Sequence, residues 1–128
     1  MTKLFIHGIV AGILAALSGI IYFFLYQEAL GTDFDQVVNV GAIIGASLIG
    51  CMLMTSGYAL VLKFKKEKLI GWLNMAILML SFVSIIGPIG MSLPLDIADP
   101  ELFPGLVVPM HFFPALAFLG TYPLFSNK

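Results

Sequence analysis

Charge is what this sequence has least of. Only 10% of its 128 residues are Asp, Glu, Lys or Arg, where a soluble domain carries about a quarter. Arginine is missing altogether, so every basic residue is a lysine. The chain therefore lacks the planar guanidinium fork that grips phosphate and carboxylate at two points, which argues against nucleic acid as a partner and against phospholipid-headgroup chemistry. Cysteine is reduced to Cys51, inside an apolar run; neither a disulfide framework nor a CxxC redox pair can be built from it. No HExxH motif offers a zinc site. The two histidines, His7 and His111, lie toward opposite ends of a membrane-length bundle, too far apart to sandwich one haem iron. No metal or cofactor is expected. No Asp or Glu lies deep in an apolar run, which removes the carboxylate of proton-driven exporters and the acid/base pair of membrane hydrolases. A nucleophilic serine would have His111 as its single base within reach. The expectation is a non-enzymatic protein.

What is present is apolar length. The chain is 60% hydrophobic with a mean hydropathy of +1.06, and at about 20 residues per crossing it holds four membrane helices and no separate soluble domain. The fold class expected is all-α: one domain, 1–128, an integral membrane four-helix bundle running up-down-up-down, with helices at about 4–26, 37–62, 69–93 and 104–125. Lys3 followed by Leu4–Tyr26 resembles a signal peptide at its start. The run continues past Gly19 without interruption, which favours a retained helix. Gly8, Gly12, Ala15 or Ala16 and Gly19 recur at helical spacing, as do Gly41, Gly45 and Gly50, and small residues at such spacing let backbones approach closely in lipid. These six glycines are the expected helix-packing positions.

The lysines sort to one side. Lys3, the Lys63–Lys68 loop and Lys128 share it in a four-span model, while every acid except Glu67 falls on the other. By the positive-inside rule both termini are cytoplasmic, and the acidic loops 27–36 and 94–103 face outward from the cell membrane. Asp33-Phe34-Asp35 looks briefly like a calcium loop. Val38 replaces the required glycine and no glutamate closes the loop, so these acids read as solvated.

The polar residues inside the runs are the candidates for function. Ser47, Cys51, Thr55 and Tyr58 share one face of the second helix, and Asn74 with Thr55, Ser56 or Tyr58 reads as interhelical glue. His111 is the one ionisable group in Leu106–Phe125. Pro109 and Pro114 leave the carbonyls of Gly105 and Met110 without their helical donors, so the helix should kink on both sides of the imidazole. Counting about eight residues inward from each outer boundary brings Ser18, Ser47, Ser84 and His111 to one depth, roughly 12 Å in. An ionisable side chain at membrane depth is a functional-site hypothesis, although serine and histidine there more often close hydrogen bonds within their own bundle. His7, one turn inside the inner boundary, is expected to reach headgroups or water.

Two functions follow from these residues. The first is a small membrane protein that packs with itself or serves as an accessory subunit of a larger membrane assembly. The alternative is a binding or transport module for a small neutral or apolar ligand, held in an outer-leaflet pocket by His111, Ser84, Ser47 and Ser18.

Overall fold

A computed structural model describes residues 1–126, so Lys128 lies outside the described residues. All regular structure among the described residues is helical, and four spans are long and apolar enough to cross a membrane: Thr2–Leu30, Val40–Lys63, Glu67–Gly90 and Pro100–Phe125. The first two are the unbroken helices α1 (Thr2–Leu30) and α2 (Val40–Lys63). The third is a 3-10 turn, Glu67–Leu69, leading into α3 (Ile70–Ser84) and the short α4 (Ile86–Gly90). The fourth opens with a 3-10 turn, Pro100–Leu102, and continues as α5 (Phe103–Met110) and α6 (Phe113–Phe125).

Local chemistry sets these boundaries. Asn39 starts α2 by accepting a hydrogen bond from Ala42 N at 2.9 Å, three residues later than hydropathy alone suggested, because an Asx side chain satisfies one of the unpaired first-turn donors. Gly31 ends α1 in the left-handed region (φ 65°), a conformation that costs glycine nothing. The breaks follow proline. Pro88 cannot donate to Ser84, the last residue of α3, and Pro114 cannot donate to Met110, the last residue of α5. The two kinks expected around His111 are a single break: Pro109 is accommodated within α5, and His111–Phe112 form a tight step in which Phe112 N bonds Pro109 O at 3.1 Å.

Sequence neighbours run antiparallel. Gly8 abuts Thr55, Gly12 abuts Leu48 and Gly19 abuts Ile43, which fixes α1 against α2. Tyr26 near the end of α1 donates to Leu102 O at 2.6 Å, while His7 near its start meets Phe118 and Thr121. The fourth span is thus antiparallel to α1 and parallel to α2. Tyr58 on α2 donates to Asn74 on α3, and Phe82 packs edge-on to Phe112 with centroids 4.9 Å apart.

Packing is uneven. The buried positions of α1 are Leu4, His7, Gly8, Ala11, Gly12, Ala15, Ala16, Gly19 and Phe23, whereas α3 buries only Ile77 and Ser81. Apolar surface gains nothing by leaving lipid, so helix contact in a membrane depends on close van der Waals fit and interhelical hydrogen bonds; α1 supplies the flat face that allows it. At the acidic-loop end, Phe34 is fully buried and meets Phe103 with ring centroids 5.4 Å apart. A residue assigned to a solvated loop is therefore a core plug, its backbone tied down by Gln27 Oε1, which accepts from Phe34 N.

Not all the glycine stripe is used. Gly50 lies 3.5 Å, measured from an added Cβ, from Pro114 Cβ, but Gly45 has nothing near and Gly41 has only Asn39, its own cap. Gly41 and Gly45 thus take part in no helix contact within the described chain, because α2 turns the opposite face, Ser47, Cys51, Thr55 and Tyr58, into the bundle.

Candidate functional site: a cleft between the second, third and fourth spans

The loose seating of α3 leaves a cleft of about 600 Å³ between α2, α3 and the α5–α6 junction, with Ala15 and Gly19 of α1 at its floor. Ala42, Ala46, Leu80 and Ser84 line it and are nevertheless exposed, so it is open on one side. Its wall is almost wholly hydrocarbon. The polar exceptions are Ser47, Ser81, Ser84 and His111.

Three of the four residues expected at one depth therefore meet here. Ser18 does not. It lies on the exposed face of α1, because a residue one position from Gly19 is turned about 100° around the helix from it; small residues, not a hydroxyl, form the cleft floor on α1. Ser81, three residues before Ser84 and on the same side of α3, lines the cleft with it.

His111 is half-buried, and its Nδ1 lies 2.7 Å from Val107 O. A carbonyl only accepts, so Nδ1 carries the hydrogen and donates it. The partner is the carbonyl one turn back, and not either of the carbonyls that the prolines release. Gly105 O, released by Pro109, accepts instead from the Tyr22 hydroxyl at 2.8 Å: α1 supplies the donor that proline removes. Nε2 of His111 has no partner among the described residues.

The hydroxyls divide into two kinds. Ser81 donates to Ile77 O at 3.1 Å and Ser84 to Ser81 O at 2.7 Å, as serines in membrane helices commonly do. Outside the cleft Thr55, Ser56 and Thr121 behave alike, each donating to the carbonyl four residues back. Ser47 is the exception, only 6% exposed and without a partner among the described residues. Ser47 and His111 also lie level. The parallel helices α2 and α6 touch at Gly50 and Pro114, Cys51 Sγ reaches Pro114 O at 3.6 Å, and Ser47 and His111 each precede that contact by about one turn.

The second polar cluster lies at the lysine-loop end and overturns the expectation for His7. That side chain is fully buried. Its Nε2 is 3.0 Å from Phe118 O and 2.9 Å from Thr121 Oγ1, and the rings of Phe118, Phe125 and Tyr122 surround it at centroid distances of 4.4, 5.0 and 5.8 Å. Thr121 already donates to Ala117 O at 2.7 Å. Nε2 is therefore the donor to both oxygens, and Nδ1 is left buried without a partner. His7 falls on the packed stripe of α1, between Leu4 and Ala11 and beside Gly8. That phase is visible in the sequence, and burial follows it although the residue lies near the end of the apolar run. The cluster clamps α1 to α6. Among the described residues no group of three or more His, Cys, Asp or Glu could hold a metal ion.

Comparison with known families, curated proteins and solved structures gives no match to this chain.

Proposed function

We propose that the chain is a non-enzymatic, multi-pass protein of the cell membrane that holds a small, largely apolar ligand in the cleft between α2, α3 and the α5–α6 junction, as a binding or transport module. The observation that carries this reading is Ser47. Ser47 is a residue only 6% exposed whose hydroxyl has no partner among the described residues, and it lines a cleft of about 600 Å³, within the roughly 300–1,000 Å³ usual for small-molecule sites. A ligand that completes its hydrogen bonding gives an unpartnered hydroxyl on an otherwise hydrocarbon wall a reason to be there. With the lysine loops on the cytoplasmic side, Ser47 and His111 belong to the outer half of the bilayer, and Gly57 and Leu73 carry the apolar part of the cleft toward the inner half. The test is ligand-dependent thermal stability in detergent. A graded series of linear alcohols should raise the Tm of the wild type by several degrees, since a ligand at about a hundred times its Kd contributes roughly 2.7 kcal/mol. Ala46→Phe, which fills the cleft from its exposed rim, should abolish the response; equal responses from both proteins refute the reading.

A second function is favoured by the sparse burial of α3, whose only buried residues are Ile77 and Ser81. Such a helix leaves most of its surface to lipid or to another subunit, so assembly with further copies or with a larger membrane complex is the competing reading. A strictly monomeric particle in mild detergent, co-purifying with nothing, counts against it.

A further inference from the structure

We infer that the molecule held in this cleft is headed by a hydroxyl group on an apolar body, and that carbonyl-headed or ether-headed molecules of the same shape are held more weakly. The inference rests on the binding function proposed above and specifies its ligand class. Its basis is the direction of the hydrogen bonds around the cleft. His111 commits Nδ1–H to Val107 O at 2.7 Å, so the neutral ring offers the cleft only the lone pair of Nε2. Ser81 and Ser84 commit their protons to Ile77 O and Ser81 O and likewise offer only lone pairs. Ser47 alone keeps an uncommitted proton.

A head group that satisfies this lining must donate to an acceptor and accept from a donor. A hydroxyl does both through one oxygen: its proton goes to Nε2 of His111 and its lone pair takes the proton of Ser47. The two protein groups lie level, each about one turn before the Gly50–Pro114 contact on parallel helices. A ketone or quinone oxygen would take the Ser47 proton and leave Nε2 unanswered. A buried acceptor left unpaired in apolar surroundings is what separates otherwise similar ligands. The remaining wall is hydrocarbon, which sets the apolar body.

The experiment compares dodecanol with its methyl ether, which differ in the donor proton, on the full chain in nanodiscs with nitrogen-labelled histidine. The chain has only two histidines, so NMR reads His111 against His7 as an internal control. The expected result is saturable binding of dodecanol, a roughly ten-fold weaker ether, equivalent to about 1.4 kcal/mol, and a shift of the His111 Nε2 resonance with dodecanol alone. His111→Phe, which keeps an aromatic ring and removes the acceptor, should bring the alcohol-to-ether ratio close to one, because the alcohol loses its acceptor and the ether no longer leaves one unpaired. Equal binding of both probes with a stationary Nε2 resonance overturns the hydroxyl-head inference and leaves the cleft as a binding site. A ten-fold ratio that persists in His111→Phe overturns it too, since another group is then reading the head. Saturation by neither probe refutes the binding function itself.

Discussion

Adding one methyl group at Gly8 tests how α1 and α2 are held together. A Cβ built there overlaps Thr55 Oγ1 and comes within 3.2 Å of Thr55 Cβ and 3.4 Å of Met52 Sδ. The methionine can swing aside. Thr55 cannot do so freely: it is fully buried, and turning its hydroxyl away gives up the 2.9 Å bond to Cys51 O. Overpacking a tight contact costs about 1–3 kcal/mol, against which alanine regains up to about 1 kcal/mol of helix propensity. Gly8→Ala is therefore expected to destabilise by about 1–2 kcal/mol in reversible unfolding followed by circular dichroism in mixed micelles. Gly45→Ala is the internal comparison. Nothing lies within 4 Å of a Cβ at that position, so its effect should stay within about 0.5 kcal/mol. Adding Thr55→Ala to Gly8→Ala should recover part of the loss, a coupling expected only of residues in contact. Equal stability of Gly8→Ala and Gly45→Ala would refute the assignment of the α1–α2 contact to the first stripe.

Three further outcomes are expected. Tyr22→Phe should cost about 0.6 kcal/mol and at most about 1.7, the average and maximum for hydrogen bonds between membrane helices, and the cost should shrink in a Pro109→Ala background, where a restored N–H can serve Gly105 O; a double-mutant cycle measures the coupling, and an unchanged cost contradicts the role given to Tyr22. His7→Leu should destabilise by about 1–2 kcal/mol, and Thr121→Val by less, because the ring keeps Phe118 O; thermal denaturation of the two variants ranks them. For topology, Lys66→Cys and Asp99→Cys in a Cys51→Ser background should react with an impermeant maleimide from opposite sides of the membrane. Labelling of both from one side contradicts an even number of crossings with the lysines inside.

Much of the framework was readable because hydrocarbon is a demanding solvent. A segment without charge for some twenty residues has few alternatives to a helix, so the four long apolar helices followed from composition and length. The shared face of Ser47, Cys51, Thr55 and Tyr58 was readable for a related reason: all four are buried, since polar groups at that depth turn toward protein. Asn74 and Tyr58 were named among the partners that join the second and third spans, and they are bonded. Where two forces compete, sequence reasoning was weaker. His7 carries a polar ring near the end of the first apolar run, which favours exposure, on the packed phase of α1, which favours burial; the donor capacity of Nε2 toward Phe118 O and Thr121 decides for burial. Ser18 was chosen for its depth, and its azimuth on α1 turns it away from the cleft. Phe34 is apolar among acids, and only the approach of Phe103 shows what it plugs.

The sequence by itself determined the apolar character of this chain, its helical state and the number of long apolar spans, because each depends on runs of residues along one helix. Which of the small-residue stripes pack, where α3 stands off, and which protons around His111 and Ser47 are already committed were decided by the tertiary structure. Those properties depend on rotation and separation between helices, and a register that differs by a single residue turns a side chain by about 100° and exchanges wall for outer surface.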